Sequence, residues 1–192
     1  MSAKTPESLV FRKLFKTENE TFRDHLLRLD RESRHMRFGH AVSDGFIHTY
    51  ADVSDTLGGV VHGGFVGGTL RAAAELRPAS KLAPDLAEAA FSVEVAYQNA
   101  GIGSELLRRT VLSARNRGVR RLVMYCMVEN GRMRAVARKN EAIITIENGE
   151  VVGELTPANP SVLSMLREAL TDTRDLFENA FDNHKRRFGG GT

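Results

Sequence analysis

The run from Glu88 to Arg117 constrains the chain most. Glu88 to Val95 (EAAFSVEV) reads as a buried strand. It leads through Tyr97-Gln98-Asn99-Ala100-Gly101-Ile102-Gly103-Ser104 into a helix from Gly103 to Arg117, with Leu106, Leu107, Thr110, Val111 and Ala114 on one face and Gly118 as its stop. Arg121 to Val128 (RLVMYCMV) supplies the next strand. A strand, a glycine turn, a helix and a second strand make one βαβ crossover, which requires a sheet with helices packed on it. Gly101 and Gly103 permit positive φ and close approach of a ligand to the backbone, and the first turn of the helix offers unpaired N–H groups at the positive end of its dipole. Such a turn either just closes the connection or cradles an anion, a pyrophosphate taking several consecutive amides without a lysine or a metal. A Walker loop needs Gly-Lys-Ser/Thr where this chain has Gly103-Ser104-Glu105, and a dinucleotide fingerprint needs a third glycine where Leu106 stands.

The remaining pattern is mixed. Glu18 to Asp30, Asp30 to Met36 and Asp44 to Asp52 read as three short helices, the first with Phe22, Leu26, Leu27 and Leu29 on one face. Leu57 to Val61 and Phe65 to Leu76 are strand-like and flank Gly63-Gly64, read as a hairpin turn, and Pro78 to Pro84 reads as a loop. Asn130 to Lys139 reads as a helix, and Ile143 to Glu147 with Val151 to Leu155 as a hairpin across Asn148-Gly149. Pro160 opens a final helix with Leu163, Leu166, Leu170, Phe177 and Phe181 at helical spacing, a stripe that covers a sheet face or meets a second copy of the chain in a homodimer.

Composition narrows the function. The 192 residues carry a net charge of +3, but Ser104 to Lys139 holds ten basic residues against Glu105 and Glu129, a local charge of +8. That block reads as a solvated surface, a nucleic-acid footprint or a pocket for a phosphorylated ligand. Three Tyr, no Trp and no recognisable RNA- or zinc-binding pattern disfavour nucleic acid. The single cysteine, Cys126, allows no internal disulfide, and no H-E-x-x-H or paired-ligand spacing supports a metal. No run approaches the about 20 apolar residues of a membrane span, and the N-terminus lacks an apolar signal core, so the expectation is a cytoplasmic protein.

Gln98-x-x-Gly101-x-Gly103 after a strand, followed by Leu106-Leu107, Leu122–Val128, Asn130 and Ala135–Lys139, resembles the GNAT N-acetyltransferase family, whose acyl-CoA motif is Q/R-x-x-G-x-G/A. The resemblance runs from Ala87 to Leu155. It implies an α+β fold: a mixed, mostly antiparallel sheet of six to seven strands flanked by helices, with an extra C-terminal helix. The sheet would be splayed between its fourth strand (Glu88–Val95) and fifth (Leu122–Val128), with acetyl-CoA wedged in the opening. One domain over residues 1–188 is expected, with its acyl-CoA core at 87–155 and the last helix at 160–183, followed by a flexible tail at 189–192.

The same resemblance places the pyrophosphate cradle on Gln98, Asn99, Ala100, Gly101, Ile102, Gly103 and Ser104. The backbone of Phe91 and Val93 would pair with the pantetheine arm, and Asn130 would contact it while also capping its own helix. The implied activity is acetyl transfer from acetyl-CoA to a primary amine, on a protein lysine or a small molecule, by direct attack in a ternary complex. A non-catalytic acyl-CoA sensor is the alternative. Ala87-Glu88 is similar to the A-E-x-A opening that supplies the catalytic glutamate in bacterial protein-lysine acetyltransferases, which marks Glu88 as the base, although a solvated glutamate at a strand end would look the same. Glu94 stands second. Leu29 to Phe38 is similar to the second helix beside the acceptor site of that branch. Three features depart or add little: the position of the family's acid tyrosine is Ala137, its Gly-Phe is Glu141-Ala142, and His35, His40 and His48 suit a surface as well as an acceptor site. Tyr125 and Cys126 on the fifth strand stand as weaker candidates near the thiol.

Overall fold

The computed structural model describes residues 9–53, 59–80, 82–147 and 150–173. In chain order, β1 (Leu9–Lys13) precedes three helices, α1 (Asn19–Arg28), α2 (Arg31–Phe38) and α3 (Asp44–Val53). Asp30 caps α2 by accepting from the Ser33 amide at 2.9 Å, and Gly39, at φ 76°, ends it in the left-handed region. There follow β2 (Val60–Val66), β3 (Thr69–Ser80), β4 (Ala83–Val93), α4 (Ile102–Asn116), β5 (Arg121–Met127), α5 (Gly131–Lys139), β6 (Ile143–Glu147) and β7 (Glu150–Leu155). A last helix, α6, spans 162–173. The seven strands form one sheet in the order β1-β2-β3-β4-β5-β7-β6, antiparallel throughout except for β4 against β5. The fold is α+β, as the family resemblance implies.

Alternation along the strands sorts side chains between two layers. On β3, Ala72, Ala74 and Leu76 face α4, while Ala73 joins Phe22, Leu26, Ile47 and Ala51 under α1 and α3. On β4, Ala87 and Ala89 pack with Leu107, Ala114 and Leu122 on the α4 side. Their alternates Glu88, Ala90 and Ser92 therefore project toward the N-terminal helices. The small residues of β3 and β4 let helices pack closely on both faces.

Several expectations are corrected. Gly63 and Gly64 lie inside β2, and the turn is Gly67-Gly68, at φ 58° and 71°. Gly63 is there for packing: a Cβ would stand 2.6 Å from side-chain atoms of both Leu70 and Phe65. Leu57, assigned to the preceding strand, lies outside the described residues. Pro78 is within β3 rather than a loop. The ladder with β2 ends at Leu76, so a residue without an N–H beyond it loses no bond there. β1 had no sequence signal, its five residues being too few to show a period. Asn148 and Gly149 lie outside the described residues, although β6 and β7 pair antiparallel up to Glu147 and Glu150.

Pro160 precedes α6 instead of opening it. Ser161 and Ser164 cap the helix reciprocally, each amide donating to the other's hydroxyl at 3.0 and 3.1 Å. Of the two roles expected for the apolar stripe, covering the sheet is not the one taken: it points outward, with Leu163 63%, Leu166 53% and Leu170 68% exposed. Phe177 and Phe181 lie outside the described residues. The helix docks through polar groups instead, because Glu168 accepts from Lys13 at 2.5 Å, Ser113 at 2.8 Å and Asn116 at 2.5 Å. Among the described residues no helix is long and apolar enough to cross a membrane.

Candidate active site

The parallel ladder between β4 and β5 is short. It pairs only Leu86, Ala87 and Glu88 with Arg121, Leu122 and Val123, after which the strands separate. The Glu94 amide donates to the Arg71 carbonyl at 3.0 Å, which fixes the phase of the β3–β4 ladder. By that alternation the amides and carbonyls of Phe91 and Val93 face the widening gap instead of β3. The backbone edge that the family resemblance assigns to the pantetheine arm is thus open where the strands part.

Beyond Val93, a short 3-10 turn (Val95–Tyr97) leads into the cradle. Gly101 adopts φ 78° and Asn99 φ 61°, while Gly103 does not need positive φ and lies in the first turn of α4, which begins one residue earlier than expected. A Cβ on Gly103 would sit 3.5 Å from Val136 of α5, an ordinary contact, so what glycine provides there is clearance on the cavity side of the helix. Among the described residues, no carbonyl accepts from the amides of Asn99, Ala100, Gly101, Ile102 or Gly103. Five successive free amides at a helix N-terminus suit a pyrophosphate. A cavity of about 270 Å³ opens there, bounded by Phe91, Ser92 and Val93 on β4, by Gln98 to Ser104 excluding Ala100, and by Asn130, Arg132, Met133 and Val136 around α5. Asn130 caps α5, accepting from the Met133 amide at 3.0 Å.

Gln98 has a further part. Its Nε2 donates to the Val93 carbonyl at 2.9 Å and to Ser33 Oγ at 3.2 Å, tying α2 to the cradle. Ser33, Met36 and Arg37 of α2 close the cavity, as do Arg132 and Met133. Ser33, Met36 and Arg37 are not singled out from sequence beyond the likeness of Leu29 to Phe38, because only the packing of α2 over the β4 edge brings them there.

A second cavity, of about 220 Å³, adjoins the first and shares Met36, Arg37, Phe91, Asn130 and Met133 with its lining. Glu88, Arg77, Tyr125, Cys126 and Glu150 line it. Arg77 Nη2 lies 4.0 Å from Glu88 Oε2. Behind this wall sits a buried cluster in which Arg37 donates to both Glu75 and the Tyr50 hydroxyl, and Tyr50 donates to Glu75 Oε2 at 2.9 Å. Burial and the Glu75 charge push the Tyr50 hydroxyl up to about 12.

The other candidates sort clearly. Glu94 accepts from Arg28 at 2.9 Å and Arg71 at 2.9 Å and bonds His25 at 3.2 Å. Burial alone would raise its carboxyl, but the bonds from His25, Arg71 and Arg28 outweigh burial and bring it to about 2. So held, it is no free base. Cys126 is buried and its thiol is pushed up by desolvation. Ala137 belongs to the core between α4, α5 and β5 and lines neither cavity. Glu141 takes φ 63°, the left-handed conformation that a glycine adopts without strain. His35, His40 and His48 line neither cavity. The buried histidines are His25 and His62, both 3% exposed or less. Among the described residues no group of three or more His, Cys, Asp or Glu side chains is arranged to hold a metal.

A splayed sheet with a helix N-terminus at the mouth of the splay is the architecture of an acyltransferase, and the family model of the GNAT acetyltransferases matches residues 14–142. The chain belongs to the GNAT acetyltransferase family. It is similar in structure to the GNAT domain of PAT from S. lividans, at 25% identity and a TM-score of 0.65 over 76% of this chain and 89% of that one. It is also similar to yncA of Salmonella typhimurium, solved with its cofactor acetyl-CoA, at 16% identity and TM-score 0.60 over 80% and 96%. A third likeness is to the paia N-acetyltransferase of Thermoplasma acidophilum in complex with coenzyme A, at 18% identity and TM-score 0.59 over 78% and 99%. Comparison with curated proteins gives no match.

Proposed function

We propose that the chain transfers an acetyl group from acetyl-CoA to a primary amine by direct attack in a ternary complex. The observation that carries this reading is the adjacency of two cavities: the amide cradle and the open β4 edge line one, Glu88 lines the other, and both linings include Phe91 and Asn130. The amides of residues 99–103 would hold the pyrophosphate, with Ser104 and the Gln98 side chain completing the cradle. The gap-facing backbone groups of Phe91 and Val93 would take the pantetheine arm as an added strand, one of those amides polarising the thioester carbonyl. The Gln98 bond to the Val93 carbonyl would have to yield to that pairing.

Glu88 stands on the face of β4 that looks toward α2 and the second cavity, where an amine would enter. It would take the amine's proton, directly or through water, because an alkylammonium with a pKa near about 10 is no nucleophile at neutral pH. Its placement after Ala87 favours a protein lysine as acceptor over a free small amine. A carboxylate facing the thioester side has no use in a mere acyl-CoA sensor, which sets that alternative below catalysis. The test is CoA release measured with this chain over a panel of amines and candidate proteins, alongside calorimetry with acetyl-CoA. Binding without turnover on any amine would leave the sensor.

A further inference from the structure

Ser92, His25 and Glu94 form a connected line that the proposed transfer does not use. Ser92 Oγ is 2.9 Å from His25 Nε2, and His25 Nδ1 is 3.2 Å from Glu94 Oε1. Arg28 and Arg71 hold the Glu94 carboxylate ionised from its other sides. An ionised carboxylate only accepts, so Nδ1 carries the ring proton and Nε2 is left bare to accept from the Ser92 hydroxyl. Burial keeps the ring neutral, its pKa lowered by desolvation against the opposing pull of Glu94. A serine whose proton points at a neutral imidazole, itself oriented by a carboxylate, is the constellation of an activated nucleophile.

Position adds to geometry. Ser92 is flanked by Phe91 and Val93, whose amides face the gap, and it borders the cofactor cavity. It projects from β4 on the same face as Glu88, across the plane of a strand-like ligand laid in the gap, which is the direction from which a carbonyl is attacked. The molecule contains another serine on a buried histidine, Ser113 against His62 Nε2 at 2.9 Å. There the hydroxyl donates to Glu168 under α6, and neither residue borders a cavity described above. Among the described residues, only the line through Ser92 combines a bare imidazole nitrogen, an orienting carboxylate and a bordering cavity.

We propose that Ser92, His25 and Glu94 act as a nucleophilic triad that hydrolyses the bound acyl-CoA when no amine is seated. The inference rests on acyl-CoA occupying the β4 gap. Ser92 Oγ attacks the thioester carbonyl carbon as its proton passes to His25 Nε2, and a gap-facing amide of β4 takes the developing oxyanion. The C–S bond breaks, His25 returns the proton to the sulfur, and CoA leaves as the thiol with the acetyl group as an ester on Ser92. Water then attacks that ester, giving a proton to Nε2. The C–O bond to Ser92 breaks, the proton returns to Oγ, and acetic acid departs, releasing its remaining proton to solvent as acetate.

The experiment incubates the full chain with acetyl-CoA and no amine, and follows thiol release together with calorimetric affinity. Wild type is expected to release CoA well above the buffer rate. Ser92→Ala should bind acetyl-CoA with unchanged affinity, melt within a few degrees of wild type, and lose at least about 100-fold of the release, the lower end of what removing a nucleophile or its base costs. Ser92→Cys keeps a nucleophile on the same strand, and peptide mass analysis should find the acetyl group retained on the β4 peptide. Binding without hydrolysis in wild type, or equal hydrolysis in Ser92→Ala, overturns the triad and leaves the transferase reading standing. Absence of acetyl-CoA binding overturns both.

Discussion

Arg77 on β3 and Glu88 on β4 stand directly opposite each other in the antiparallel ladder, with Nη2 4.0 Å from Oε2. The same guanidinium donates to Tyr50 through Nη1, so Glu88 faces a cation that is itself anchored to the buried cluster of Tyr50, Glu75 and Arg37. The second cavity therefore has a wall in which Glu88 is held opposite an anchored guanidinium.

Glu88→Gln preserves shape and hydrogen bonding while removing the base. At neutral pH kcat should fall by about 10²–10⁴-fold, with acetyl-CoA affinity little changed. As pH rises toward the amine pKa the acceptor deprotonates by itself, so the deficit should shrink, which a folding defect would not reproduce. The check is kcat against pH for both proteins. A variant within a few-fold of wild type at neutral pH would remove Glu88 from the mechanism.

Gly103→Glu places a carboxylate and its bulk at the first turn of α4, where the cradle amides point. Acetyl-CoA binding should be abolished, by repulsion from the pyrophosphate as well as by lost clearance. Calorimetry compares the two proteins, and equal affinity for CoA would dismiss the cradle.

Arg37→Met leaves Glu75, 2% exposed, without the guanidinium that neutralises it. Breaking a buried pair from one side costs about 3–5 kcal/mol, and at this chain length Tm should fall on the order of 10 °C. Differential scanning calorimetry decides it, and a shift of only a degree or two would mean that Tyr50 and Arg77 suffice.

Acid should unfold the protein through a few identifiable groups. Burial works against the Glu94 and Glu168 carboxylates, but their hydrogen bonds prevail and bring each from an ordinary 4.5 to about 2. Desolvation brings His62 from 6.5 to about 3. All three have folded values below their unfolded ones, so each contributes stability that is complete above the unfolded value and lost as pH falls toward the folded one. Urea unfolding should show a decline that begins with His62 below about 6.5 and steepens below about 4.5. Glu168→Gln should be less stable than wild type at pH 7 and should lose less on acidification. An unchanged acid slope would mean that the Lys13 and Asn116 contacts to α6 contribute nothing to the folding equilibrium.

What the sequence determines here is local. Strand, glycine turn and helix follow from period and from the φ freedom of Gly101, whereas Gln98-x-x-Gly101-x-Gly103 becomes an anion cradle only through its resemblance to the family motif, the turn alone being equally suited to a plain connection. Asn130 is readable as a cap, and Glu88 as a carboxylate at the start of a buried strand. Tertiary structure decides what lies across space from these. That Glu94 is locked by Arg28, Arg71 and His25, and Glu88 left facing a cavity, depends on contacts 66, 23 and 69 residues apart. Gly63-Gly64 looks like a turn because glycine permits one, but glycine equally permits close packing, and only the neighbours Leu70 and Phe65 distinguish the two. The stripe on α6 has a helical period whichever way it faces, since periodicity defines a face but not its partner. Glu168, which accepts from Lys13, Ser113, Asn116 and Arg117, turns that helix polar side in.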